Sequence, residues 1–148
     1  MADNSFIQHI FQEEKEAGRL PLIAYLPAGF PSPLLFPDAV SALSGAGVRL
    51  LEVGIPDRQP HLDGRIIANA LKKVQAEGVD PEAAIEIGGT ECVHHGIAGI
   101  GMLYYNTLEK LGTEKVLAQF KAKRFTAILV PDYPVERWNC FSLNALNS

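Results

Sequence analysis

The sequence predicts an α/β fold, a parallel sheet covered by helices. Short apolar runs alternate along the chain with segments of helical period. The runs are almost wholly apolar instead of apolar at every second residue, as befits strands buried on both faces. Three of the four stop at a proline: Pro27, Pro56 and Pro131. The 148 residues, 47% hydrophobic and 20% charged, suit one globular domain with a core of its own.

The elements follow in order. Ser5 and Gln8 have the spacing of a capping box, and Phe6, Ile7, Ile10 and Phe11 continue at helical spacing as far as Gly18. Leu22–Leu26 reads as the first strand, with a tight exit through Pro27-Ala28-Gly29-Phe30-Pro31. A helix over Pro37–Ala46 turns Ala39, Val40 and Leu43 to one side, and Val48–Pro56 is the second strand. The polar loop Asp57–Gly64 leads into a helix over Arg65–Ala76, whose stripe is Ile66, Ile67, Ala70, Leu71 and Val74. Asp80-Pro81 opens another helix, with Asp as cap and Pro at its first position. Gly88-Gly89 is expected to damage that helix, at about 1 kcal/mol per glycine. Ile97–Tyr105 is a third strand, weakened by Gly99 and Gly101. Thr113 is placed to cap a helix over Glu114–Lys123, and Phe125–Val130 is the fourth strand. The tail that follows holds no persistent period.

Composition excludes several classes of function. Thirteen basic against seventeen acidic side chains, a formal charge of −4, disfavour nucleic acid and anionic membrane as partners. No apolar run approaches the roughly 18 residues of a membrane span. The amino terminus lacks the order of a signal peptide, so a cytoplasmic location is expected. Cys92 and Cys140 stand far apart, and no CxxC, HExxH, P-loop or GxSxG is present. The glycines of Gly96–Gly101 are in the wrong order for a dinucleotide loop and precede a strand.

Glu52 is the most informative residue. A carboxylate inside an apolar strand is costly unless it is paired, solvated in a pocket or protonated. Alternation puts it on one face with Leu50 and Gly54, near the carboxyl end of the strand, where parallel sheets bind ligands. Desolvation there would raise its pKa and suit it to general acid/base work; the alternative is an ion pair with Arg49 or Arg65. Asp63, in the loop that follows, is either a helix cap or the second of two carboxylates at one mouth. Tyr104 and Asp132 lie at the same end of the sheet, with core aromatic and turn residue as their ordinary roles. His61 could enter a pocket from its loop, whereas adjacent His94 and His95 are expected in solvent.

Read together, the segments resemble the first half of the tryptophan synthase alpha chain family. They are Leu22-Ile23-Ala24-Tyr25-Leu26-Pro27-Ala28-Gly29-Phe30-Pro31-Ser32, Gly47–Pro56 with Leu50-Leu51-Glu52-Val53-Gly54, Pro60-His61-Leu62-Asp63-Gly64, Gly78-Val79-Asp80-Pro81, Met102–Asn106 and Val130-Pro131-Asp132. The wording is similar to actinobacterial members. The resemblance implies a partial (β/α) barrel of TIM type over residues 1–136, with about four parallel strands and an extra N-terminal helix, and leaves 137–148 as an unassigned tail. A whole barrel takes about 250 residues. It implies a lyase of tryptophan biosynthesis that cleaves indole-3-glycerol phosphate to indole and glyceraldehyde 3-phosphate without metal or cofactor, docked on a PLP-dependent beta chain. Glu52 would be the acid/base and Asp63 the carboxylate that holds the indole N–H, with Tyr25, Ile67, Met102 and Tyr104 lining the indole pocket. The chain departs from the family at Asp57-Arg58-Gln59, where it usually has an aromatic, a serine and an acid that brace the loop and meet the partner chain. It departs again at Arg65, Phe30 and Gly88-Gly89. The family's phosphate-binding glycines and serine belong to strands five to eight, which have no counterpart here. Open sheet edges predict self-association or a partner chain, and the alternative function is an inactive half-barrel that binds one or the other.

Overall fold

The structure, a computed structural model, describes residues 4–137. Helix α1 (Asn4–Glu16) is followed by β1 (Ile23–Pro27), α2 (Phe36–Gly45), β2 (Leu50–Gly54), α3 (Arg65–Ala76) and α4 (Pro81–His94). Then come β3 (Ala98–Met102), α5 (Tyr105–Leu111), α6 (Thr113–Ala122), β4 (Ala127–Leu129) and a short 3-10 turn, Val135–Arg137. The four strands form one sheet in the order β1-β2-β3-β4, and every pair is parallel. Beyond Arg137 the expected tail lies outside the described residues.

Register divides the sheet into two faces. Tyr25, Glu52 and Ile100 stand side by side, as do Pro27, Gly54, Met102 and Leu129 one pleat further on. The opposite face, with Leu51, Val53, Ile55 and Leu103, packs under the helices against Val40, Val74, Ile85, Leu108, Val116 and Phe120. Helix α1 serves the first face instead. Its Ile10 joins Leu50 and Ala98 in a separate small cluster, closing the N-terminal end of the surface that carries Glu52. Arg49 is drawn to the same helix, at 2.6 Å from Glu13 and 3.8 Å from Glu14.

One expectation about glycine is corrected, that Gly88-Gly89 damages its helix. α4 runs unbroken through Gly88 and Gly89, and β3 forms through Gly99 and Gly101. All four are buried, and at Gly88, Gly89 and Gly101 neighbours come too close for a side chain. A methyl on Gly88 would lie 2.6 Å from a Val53 methyl, and one on Gly89 would lie 2.8 Å from the Lys123 carbonyl oxygen. One on Gly101 would overlap the Phe120 ring. Close packing of helix on sheet outweighs propensity here. Gly89→Ala tests the balance: alanine gains about 1 kcal/mol of helix propensity, but overpacking costs about 1–3 kcal/mol, and a backbone carbonyl cannot rotate away. A net loss of stability in urea is the expected result.

Helix starts also differ from the sequence reading. α1 already includes Asn4 and Ser5, so it begins ahead of the cap expected at Ser5. Gly112, not Thr113, occupies the cap position of α6, and it makes no side-chain cap bond. Tyr105 opens α5 instead of extending the third strand. Its N–H donates to Asp132 Oδ1 at 2.7 Å, so a carboxylate from beyond β4 supplies the missing acceptor at this helix start. A cap 27 residues away leaves no local signature.

Candidate active site

Glu52 sits half-buried in mid-β2, flanked in register by Tyr25 and Ile100. The ion pair considered for it does not form: Arg49 is engaged with α1, and the Glu52 carboxyl has no hydrogen bond or ion pair among the described residues. Burial first, and the charge of Asp63 second, push its carboxyl above the ordinary carboxylate range. This has a sign for stability. The unfolded chain releases the proton at lower pH than the folded one, so Glu52 weakens the fold as pH climbs from the ordinary range through the raised pKa. Glu52→Gln should therefore raise Tm near pH 7 and leave it unchanged below about pH 4, a pattern calorimetry can check.

Asp63 is not the cap of α3. Gly64 takes that position, and no side chain caps it. The Asp63 carboxylate accepts a 2.8 Å hydrogen bond from the Tyr104 hydroxyl, which itself accepts from the Leu62 N–H at 3.2 Å. Tyr104 is 1% exposed. Burial, followed by the bond to Asp63 and its charge, pushes the phenol up to about 12. It stays protonated and donates, fixing the carboxylate's orientation. The His61 ring lies 4.9 Å from the Tyr104 ring, and its Nε2 is 3.6 Å from Asp132.

Tyr25 completes the group from β1. Its phenol is pushed up by burial first, then by Asp63, Glu52 and Tyr104 in that order. Its ring passes over Gly54, where any side chain would collide with it. Met102 lies buried at the end of β3, opposite Gly54 in register. Ile67 shares with Tyr25 an apolar cavity of about 510 Å³ beside β1, lined also by Phe30 and Lys73. Glu52, Asp63, Tyr25 and Tyr104 thus form one electrostatic cluster at the carboxyl ends of the strands, with Met102 beside it and Ile67 to one side. His95, expected in solvent, is partly covered and lies 3.6 Å from Glu91.

Sequence reasoning missed Asp57. It is 3% exposed, accepts from the Thr107 hydroxyl and takes the Gln59 N–H at 2.7 Å. The loop expected to have lost its brace has one. An Asp two residues before the N–H it binds is an Asx-turn, and that local pattern could have been read.

Four parallel strands in chain order, helices over one face and two carboxylates at the C-terminal mouth of the other define half of a TIM-type (β/α)8 barrel. Residues 11–147 match the family model of the tryptophan synthase alpha chain, and the chain belongs to that family. The tryptophan synthase alpha chain of Thermobifida fusca is 32% identical over 120 residues, covering 81% of this chain and 44% of the relative. A mutant tryptophan synthase alpha-subunit from the hyperthermophile Pyrococcus furiosus matches with a TM-score of 0.79 at 30% identity, over 86% of this chain and 51% of that one. Tryptophan synthase from M. tuberculosis shares the fold with a TM-score of 0.87 at 24% identity, over 94% of this chain and 55% of that chain. The chain therefore spans about half the length of the relatives it matches.

Proposed function

We propose that this chain performs the lyase chemistry of tryptophan biosynthesis, cleaving indole-3-glycerol phosphate to indole and glyceraldehyde 3-phosphate. The observation that carries this reading is the unpaired, partly desolvated Glu52 beside an Asp63 held by Tyr104. Glu52 gives a proton to indole C3 and takes one from the glycerol hydroxyl next to the ring. The carbon–carbon bond breaks, its electron pair returns to the ring to restore indole, and the released fragment keeps a carbonyl. Asp63 accepts the indole N–H and stabilises the positive charge that develops there. Tyr25, Ile67, Met102 and Tyr104 form the walls of the indole pocket. A carboxylate whose pKa is raised by burial suits both proton transfers. No metal or organic cofactor is assigned a role.

In the family the phosphate grip belongs to strands after the four described here. A beta chain is the docking partner this reading implies. The reaction is tested by measuring indole release from indole-3-glycerol phosphate by the purified chain, alone and with a tryptophan synthase beta chain. Release in either sample supports the lyase; none in both overturns it.

A second reading, an inactive half-barrel that self-associates, has its own observation. Neither β1 nor β4 has an outer neighbour among the described residues, and Leu22 (66%), Ile23 (44%) and Leu129 (40%) are exposed along those edges. A second copy rotated about the strand direction would set its β1 beside β4 in the parallel sense. Light scattering that gives twice the chain mass, without indole release, favours this reading.

A further inference from the structure

The Tyr25 hydroxyl is buried and has no hydrogen-bond partner among the described residues. Buried polar atoms are almost always paired, and leaving one unpaired weakens a fold. Packing does not explain it, since phenylalanine would fill the same ring volume. The sheet also makes room for the hydroxyl: two residues beyond its register partner on β2 stands Gly54, and a methyl there would meet the Tyr25 oxygen before any other atom. The groups that act on this phenol are Asp63, Glu52 and Tyr104. Tyr104 already spends its proton on Asp63, and Glu52 is the direct register neighbour of Tyr25 on the same face. A protonated phenol is thus held beside the proposed acid/base with its own proton uncommitted.

We propose that Tyr25 is a specificity-determining residue whose hydroxyl donates a hydrogen bond to a ligand oxygen beside Glu52. This rests on the lyase reading, in which that oxygen is the glycerol hydroxyl on the carbon attached to the indole ring. Tyr25 would hold the oxygen while Glu52 exchanges its proton, and would select ligands that carry it over ligands with a plain hydrocarbon chain.

Tyr25→Phe, made in the Glu52→Gln background so that substrate survives, is titrated with two probes: indole-3-glycerol phosphate and indole-3-propanol phosphate, which lacks the side-chain hydroxyls. The glycerol compound should lose about tenfold in affinity, the worth of one such bond, and the propanol compound less than about twofold. The thermal midpoint without ligand should rise by a few degrees, because an unmatched buried group is gone. A fall in that midpoint would show that the hydroxyl is paired within the fold, and would overturn the proposal. Equal losses on both probes, or none on either, also overturn it while leaving the lyase reading standing. If the parent chain binds neither probe, both readings fall together.

Discussion

Glu52→Gln is expected to reduce indole release by about 10²–10⁴-fold, the usual contribution of a positioned general acid/base. The amide keeps the shape of the side chain and its neighbours on β1 and β3, but it can neither deliver nor accept the proton. The loss should fall on kcat more than on KM, because proton transfer belongs to the transition state and not to substrate binding. The same variant should be no less stable than the parent, since the carboxylate it removes is unpaired and held above its ordinary pKa. Activity lost while stability is kept marks a reacting group; both lost together would make Glu52 a structural residue. Steady-state kinetics with a melting curve on each preparation separates the two outcomes.

Phe120→Ala is expected to have the largest effect on stability, about 3–5 kcal/mol. Phe120 is 4% exposed and meets Phe125 edge-on at 4.7 Å between ring centroids. Its ring occupies the space that a side chain at Gly101 would need, so it joins α6 to the middle of β3. Alanine leaves that volume empty, and glycine opposite has no atoms with which to fill it. Folded domains are stable by only about 5–15 kcal/mol, so this one truncation removes a large share. Urea titration should show a lower midpoint with an unchanged slope. Phe11 is the control: at 42% exposed on α1, its replacement by alanine should shift stability by less than about 0.5 kcal/mol.

Much of this was legible in the chain itself. The apolar runs at 22–26, 48–56, 97–105 and 125–130 each overlap a strand, and in the two central strands burial leaves little else in the sequence. Glu52 stood out because a charge in such a run is costly in any fold. What stayed hidden depended on distance along the chain. The glycines of α4 and β3 look like weaknesses until Val53, Lys123 and Phe120 are seen pressed against them. Asp63 was open between a helix cap and a second carboxylate at the mouth, and nothing in its loop announced the bond from Tyr104, 41 residues on. Tyr105 read as strand because the acceptor that starts its helix is contributed from beyond β4.

That last bond sets the smallest piece of chain able to build the mouth. Asp132 fixes the first turn of α5; the residue just before that turn is Tyr104; and Tyr104 orients Asp63 in the loop after β2. The carboxylate is thus the end of a relay that starts on the far side of the fourth strand. A cut between the end of β4 and residue 132 would remove little of the floor of the site, yet would leave Asp63 without a fixed direction. The direction of Asp63 therefore depends on residues about seventy positions further along the chain.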